Sequence, residues 1–184
     1  MFRTSLKMGV LPGSHFFGAS RSLLSTCLML ATLMGASSAL QAMEDTETAG
    51  HSATKLLTRV HEDAEQGSPL AQYVLGALYQ LGEVMPQDHT EAVNWYRRAA
   101  HQGLAVAQFA LGAVYARGQG VPEDVVRAHM WLSLSAAHAA QITGGQKLAR
   151  DAQQLRDDVA QKMTPEQILE AEQLARAWKP KTER

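Results

Sequence analysis

Apolar residues recur three or four positions apart through most of the chain, which is the spacing of an amphipathic helix. In residues 53–66, for example, Leu56, Val60 and Ala64 fall four apart. The same spacing predicts helices over residues 69–81, 88–101, 105–117 and 124–138, then a longer helix from 146 to about 163 and a last one to 178. The pattern therefore predicts seven helices and no strand.

Four of these helices belong to a repeat of 36 residues, with residues 67–102 as its first copy and residues 103–138 as its second. Self-similarity at such a period is typical of proteins built from stacked helix pairs. Because one helix pair cannot bury both of its faces alone, the pairs must stack. We therefore predict an all-α fold, a short α/α superhelix. The following residues each have an identical residue 36 positions later: Gly67, Ala71, Gln72, Leu75, Gly76, Ala77, Tyr79, Gly82, Pro86, Asp88, Ala92 and Trp95.

Three of the repeated residue types mark the turn between the two helices of a repeat. A glycine adopts the left-handed conformation that ends a helix, and a proline prevents the helix from continuing. An aspartate accepts hydrogen bonds from the first N–H groups of the next helix. These residues are Gly82, Pro86 and Asp88 in the first repeat, and Gly118, Pro122 and Asp124 in the second.

Other repeated residues are predicted to hold the helices together. Gly76 and Gly112 lie in the middle of a helix, where glycine costs about 1 kcal/mol relative to alanine. A neighbouring helix is therefore expected to pass too close for a methyl group. The bulky side chains that fill the remaining space are predicted to be Tyr79 and Trp95 in the first repeat, and Tyr115 and Trp131 in the second.

The first 42 residues have the three parts of a secretory signal peptide. Basic residues precede an apolar run of 12 residues, 23–34, and small residues follow up to Ala42. The run is shorter than the ~20 apolar residues of a transmembrane helix. We expect cleavage after Ala42 or Ala39 and a periplasmic or secreted mature protein. The alternative is an uncleaved segment, which would be the chain's only attachment to a membrane.

The segments around the repeats complete the predicted organisation. Residues 43–52 are a flexible lead, residues 53–66 an N-terminal capping helix, residues 139–178 a divergent C-terminal helix pair, and residues 179–184 a tail. The last helix begins with a capping box, in which Thr164 is the N-cap, Pro165 the first residue and Gln167 the reciprocal partner. Its apolar side is predicted to carry Ile168, Ala171, Leu174, Ala175 and Trp178.

Charge and cysteine content exclude several classes of function. Residues 1–42 hold three of the 17 basic residues and none of the 18 acidic ones, so the mature chain has a net charge of about −4. It has no basic stripe, which argues against nucleic acid as a partner. Cys27 lies in the signal segment. The mature chain therefore has neither a disulfide nor a thiolate available for chemistry.

The repeated residues resemble the Sel-one-like repeat (SLR) family, which is related to the tetratricopeptide repeat. The resemblance covers residues 64–138, with Val84 and Leu132 as departures from the family pattern. It implies a helical superhelix that serves as an adaptor in protein–protein interactions. The matching residues are Trp95-Tyr96 and Ala99-Ala100 in the first repeat, and Ala107-Gln108, Leu111-Gly112, Tyr115, Gly118-Gln119-Gly120-Val121, Asp124, Ala128 and Trp131 in the second.

A search for catalytic patterns gives one match, Ser52-Ala53-Thr54-Lys55. This string has the S-x-x-K form of penicillin-recognising enzymes, which also need S-D-N-type and K-T-G elements. The chain has no S-D-N, and its nearest approach to K-T-G is Lys181-Thr182-Glu183. The six histidines of the mature chain lack the spacing of zinc ligands. We therefore predict no enzyme, metal or cofactor; an envelope hydrolase acting on β-lactams is the alternative.

The remaining function is recognition of a protein or peptide partner. The first helices of such solenoids usually line the concave face, and the positions there that packing does not require are 73, 77, 80 and 81, with their copies 109, 113, 116 and 117. Four residues at these positions are Tyr73, Gln80, Phe109 and Arg117. We predict that these four residues contact a partner helix or an extended peptide. Two alternatives are that Tyr73 and Phe109 belong to the core, and that the protein regulates an enzyme it binds.

Overall fold

The computed structural model describes residues 54–181. The predicted signal peptide, the flexible lead with Ser52, the first residue of the predicted capping helix (Ala53) and the last three residues lie outside the described residues. As predicted, residues 54–181 form seven helices and no strand. Within this range none of the helices has the length and hydropathy needed to cross a bilayer. The helices are α1 (residues 54–65), α2 (Pro69–Leu81), α3 (His89–His101), α4 (Ala105–Arg117), α5 (Val125–Ala140), α6 (Gln146–Ala160) and α7 (Pro165–Ala177).

The two repeats fold as two packed helix pairs, α2 with α3 and α4 with α5. The first helices begin and end at the residues that the sequence predicted. The second helices each begin one residue later than predicted, because Asp88 and Asp124 stand just outside them as N-caps. Helix α5 also extends two residues farther than predicted, to Ala140.

The turn between the helices of a pair closes in the same way in both repeats. Gly82 and Gly118 adopt φ of 72° and 65°, so each ends its helix in the left-handed conformation. The N-cap aspartates accept hydrogen bonds from backbone N–H groups of the next helix. The N–H of each N-cap aspartate also donates, at 3.0 Å, to the carbonyl of a first-helix tyrosine, Asp88 to Tyr79 and Asp124 to Tyr115.

The mid-helix glycines lie where the two helices of a pair approach closely. A Cβ on Gly76 would lie 2.7 Å from Cδ1 of Tyr96 and 3.1 Å from the carbonyl oxygen of Ala92. A Cβ on Gly112 would lie 2.8 Å from Cγ of Leu132. Leu132 stands where the first repeat has Tyr96, so the same close contact is made with two different side chains.

A buried glutamine joins each repeat to the helix before it. Nε2 of Gln72 donates to the carbonyl of Ala64 in α1 at 3.1 Å, and Nε2 of Gln108 donates to the carbonyl of Ala100 in α3 at 3.2 Å. Ala64 and Ala100 are 36 residues apart. Helix α1 therefore lies against the first repeat as α3, the second helix of that repeat, lies against the second repeat. It covers the N-terminal end of the stack, as a terminal capping element does.

The predicted C-terminal helix pair corresponds to α6 and α7, and both helices pack against α5. The capping box of α7 forms as predicted, with Thr164 and Gln167 exchanging hydrogen bonds. Helix α6 ends at Ala160, before the predicted residue 163, and α7 ends at Ala177. The predicted apolar side of α7 is only partly covered, because Ala171 is buried whereas Leu174 is 42% exposed.

Candidate functional site

Two of the four predicted contact residues, Tyr73 and Gln80, are brought together by Tyr96 of α3. The ring centroids of Tyr73 and Tyr96 are 5.7 Å apart. The hydroxyl of Tyr96 donates to Oε1 of Gln80 at 2.6 Å. Burial, with a smaller contribution from Tyr73, raises the pKa of Tyr96 well above its usual range, so its hydroxyl stays a donor. Both Tyr73 and Gln80 are half-buried and fixed from within the molecule.

The other two predicted residues lie on α4 and differ in exposure. Phe109 is half-buried and packs against the main core. Arg117 is exposed at the last position of α4, at the rim of a cavity of about 150 Å³ that Leu155 and Lys162 also line. Tyr73 and Phe109 therefore contribute to packing and also keep part of their surface exposed. That the exposed part contacts a partner stays a prediction.

The structure shows an exposed apolar stripe on α2 that includes the predicted positions 73, 77 and 81 and adds Leu70 and Val74 to them. Leu70 is 60% exposed and Leu81 is 61% exposed. Together with the half-buried Val74 and Ala77, they follow a spacing of four, three and four residues, which places them on one face of the helix. We call Leu70, Tyr73, Val74, Ala77 and Leu81 the α2 face. The helical spacing of these residues is visible in the sequence, but the sequence does not tell which apolar stripe of α2 packs against the core.

The tryptophans predicted to supply bulk, Trp95 and Trp131, are both buried. The guanidinium carbon of Arg98 lies 4.5 Å from the centroid of the Trp95 ring. The corresponding contacts of Trp131 are with His101, at a centroid distance of 5.2 Å, and with Trp178, at 6.3 Å. Trp95 also has the ring of His61 at a centroid distance of 6.0 Å. Aromatic rings therefore pack against both tryptophans, and the cation is an additional contact in the first repeat.

The residues after α7 run back over the end of the second repeat. Trp178, in an extended conformation just beyond the helix, also contacts the ring of His138 at 5.3 Å. The N–H of Lys181 then donates to the carbonyl of His101 in α3 at 2.8 Å. We call residues 178–181 the C-terminal clasp. The clasp connects the last element of the chain to both repeats.

Three histidines of the second helices have shifted acid–base properties. Burial lowers the pKa of His101, His129 and His138 below the usual value, and nearby cations lower the first two further. For His101 these cations are Lys181 and Arg97. All three imidazoles are therefore biased toward the neutral form. Among residues 54–181, no set of three or more His, Cys, Asp or Glu side chains is arranged to hold a metal ion.

Comparison with known protein families identifies the two repeats of the chain. The Sel1 repeat model matches residues 69–104 and 105–139, one or two residues later than the predicted repeat boundaries. No curated protein sequence matches the chain.

Solved structures with similar folds include a protective antigen present in uropathogenic Escherichia coli strains, which displays an SLR fold. It is 30% identical, with a TM-score of 0.57, over 66% of this chain and 24% of the antigen. A Sel1 repeat protein from Oxalobacter formigenes is 41% identical over 50% of this chain and 26% of its own, with a TM-score of 0.44. The chain thus spans about a quarter of the length of these two proteins.

Proposed function

Since the chain carries two consecutive Sel1 repeats, a fold that generally mediates protein–protein interaction, we propose that it is an exported, non-catalytic scaffold that binds another protein of the bacterial envelope. The surface that we assign to this partner is the α2 face, with Phe109 and Arg117 of α4 continuing it on the second repeat.

The observation that carries this proposal is the exposure of the α2 face. Two leucines that are about three-fifths exposed lie on one side of a helix whose other side carries its buried residues, among them Leu75 and Gly76. Exposed apolar side chains that lie together on one face are typical of interaction sites. Tyr73 beside them is held in place by Tyr96, and a rigid aromatic side chain is a favourable interface anchor because little entropy is lost on binding.

Export is proposed from the sequence of residues 1–42, whose basic start, apolar run and small-residue exit have the pattern of a signal peptide. The absence of catalysis is proposed from the sequence, because no nucleophile, base and acid have the spacing of a recognised catalytic set. The alternative β-lactam hydrolase depends on Ser52, which lies outside the described residues. Incubation of the purified protein with a chromogenic β-lactam tests it, and turnover abolished by Ser52→Ala would contradict our proposal.

The test of the main proposal is recovery of a partner from cell envelopes with a tagged full chain, compared with the variants Leu81→Asp and Leu169→Asp. Leu169 on α7 is 53% exposed and lies outside the α2 face, so its substitution is a control for adding a charge. We expect both variants to fold, because both side chains lie at the surface. Leu81→Asp should lower recovery of the partner at least tenfold, since an apolar anchor of an interface contributes ~2 kcal/mol or more and a factor of ten corresponds to about 1.4 kcal/mol. Leu169→Asp should leave recovery unchanged.

Two results would contradict the proposal. Equal recovery of the same partner by both variants would show that the partner does not bind the α2 face. A chain found only in the cytoplasmic fraction, with residues 1–42 still attached, would remove the exported location.

A further inference from the structure

A polar cleft lies where α5, α6 and α7 meet. Its volume is about 460 Å³, within the range of ~300–1,000 Å³ that is usual for small-molecule sites. Apart from Ala175, the residues that line it are polar or charged: His129 and Ser133 of α5, Arg156 and Asp157 of α6, and Glu172 and Arg176 of α7. The α2 face is not part of this cleft.

The histidine in the cleft is unusual for its place in the repeat. Thirty-six residues earlier stands Val93, which is 1% exposed in the core, and another 36 residues earlier stands Leu57 of α1. The stack therefore uses an apolar side chain at this position in the two preceding second helices. His129 is only 5% exposed, and its Nδ1 has no hydrogen-bond partner among the described residues.

An unpartnered buried polar atom costs about 1–3 kcal/mol, and valine at the same position would avoid that cost. Packing alone thus gives no reason for a histidine here. Burial and the charge of Arg156 lower the pKa of His129 more than the charges of Glu172 and Asp157 raise it, so the neutral imidazole is favoured. The neutral ring has one nitrogen that donates and one that accepts a hydrogen bond. The side chain of His129 thus lines the cleft and has a buried ring nitrogen, Nδ1, without a hydrogen-bond partner among the described residues, which a ligand reaches once the ring turns toward the cleft.

The charges around His129 are balanced, and each ion pair lies within one helix. Arg156 pairs with its neighbour Asp157 at 2.7 Å, and Arg176 pairs with Glu172 at 2.9 Å. A guanidinium has five N–H donors and a carboxylate about four acceptor sites, so these pairs leave groups of both kinds unused. The hydroxyl of Ser133 donates to the carbonyl of His129 at 2.8 Å, which leaves the lone pairs of its oxygen as acceptors.

We propose that this cleft binds a small zwitterion, namely an α-amino acid or a dipeptide with both termini free. The ligand carboxylate accepts hydrogen bonds from Arg156, Arg176 and the imidazole of His129. The ligand ammonium donates to Glu172, Asp157 and the oxygen of Ser133. A simple anion would use only the unused donors of the two guanidiniums, and a simple amine only the unused acceptors of the two carboxylates, whereas a zwitterion uses both. This site goes beyond the proposed scaffold function, because it requires no protein partner.

The experiment titrates the full chain with alanyl-alanine, N-acetyl-alanyl-alanine and alanyl-alanine amide, and follows the imidazole NMR signals of His129. The unmodified dipeptide should shift these signals in a saturable way, with an affinity at least tenfold higher than that of either capped form. Isothermal titration calorimetry then measures the variants His129→Val, Arg156→Gln and Arg150→Gln. Arg150 is exposed on α6 and does not line the cleft, so it serves as the matched control.

His129→Val introduces the residue that the first repeat has at this position, and we expect it to fold with unchanged or higher thermal stability. It should lower the dipeptide affinity at least tenfold, as should Arg156→Gln, while Arg150→Gln leaves the affinity unchanged. The proposal is overturned if the capped and uncapped peptides bind equally. It is also overturned if His129→Val binds as the original chain does, or if no saturable shift occurs up to about 10 mM peptide, which corresponds to less than ~3 kcal/mol of binding energy.

Discussion

Replacing Gln108 with leucine tests the joint that connects one repeat to the next. Gln108 is completely buried. Its Nε2 donates to the carbonyl of Ala100 in α3, and its Oε1 lies 2.8 Å from Nδ1 of His138 in α5. Leucine has nearly the same volume as glutamine but makes neither hydrogen bond. The substitution therefore removes the polar joint without leaving a large cavity.

The expected loss of stability follows from what each partner retains. The carbonyl of Ala100 keeps the hydrogen bond from the N–H of Gly103, at 3.0 Å, so its loss is one ordinary hydrogen bond, about 1 kcal/mol. Nδ1 of the half-buried His138 is left without Gln108, which costs about 1–2 kcal/mol more. The total is about 2–3 kcal/mol, or a fall in Tm of roughly 8–12 °C for a domain of this size.

Urea unfolding followed by circular dichroism at the helical band measures this change, with Gln153→Leu as the control. Gln153 is exposed on α6, and a surface substitution of this kind should change stability by less than about 0.5 kcal/mol. If Gln108→Leu is as stable as the control to within that margin, the buried glutamine does not hold the repeats together and the reasoning is wrong.

Three further predictions concern packing, the clasp and pH. Gly112→Ala should destabilise the fold by about 1 kcal/mol in the same urea assay. Overpacking against Leu132 costs ~1–3 kcal/mol, which outweighs the gain of about 1 kcal/mol in helix propensity. A variant more stable than the original chain would contradict the close approach of the two helices. Trp178→Ala should cost about 2 kcal/mol, since a half-buried tryptophan loses part of the ~3–5 kcal/mol of a fully buried one, and should make residues 165–181 sensitive to limited proteolysis, whereas the exposed Lys179→Ala should do neither. Finally, His101, His129 and His138 bind protons less readily in the folded chain than in the unfolded chain, because burial lowers their pKa. The free energy of unfolding should therefore fall as the pH drops below about 7 toward 5. A flat profile between pH 7.5 and 5 would argue against this lowering of the pKa.

The helices of the repeats were predictable because short-range signals determine them. Glycine, proline and aspartate placed both turns to within one residue, and each of these residues acts through its own backbone or its nearest neighbours. The mid-helix Gly76 and Gly112 pointed to close packing before the partners, Tyr96 and Leu132, were known. These conclusions need no knowledge of which distant elements meet.

The C-terminal packing was not predictable to the same degree, because it depends on contacts between residues far apart in sequence. Trp178 has a helical spacing from Leu174 and Ala171, yet it lies beyond α7 and packs on Trp131 and His138. Its position is determined by the aromatic residues of the second repeat rather than by its neighbours.

The candidate site shows the same limit. Helical spacing placed Tyr73 and Phe109 on the first helices, but their partial burial results from how α3 and the core pack against them. Leu70 was overlooked because the sequence does not tell which of two apolar stripes on α2 is covered. The polar cleft was also not foreseen, since its residues come from three helices and one of them replaces an apolar repeat position.

Site-specific photo-crosslinking in living cells tests the central claim, that an envelope partner binds the α2 face, most directly. A photoreactive amino acid is placed at position 70 or 81 on the α2 face, or at position 153 on α6 as the control. Positions 70 and 81 should each give one discrete adduct in the envelope fraction, and position 153 should give none. No adduct from either α2 position, or the same adduct from position 153, would contradict it.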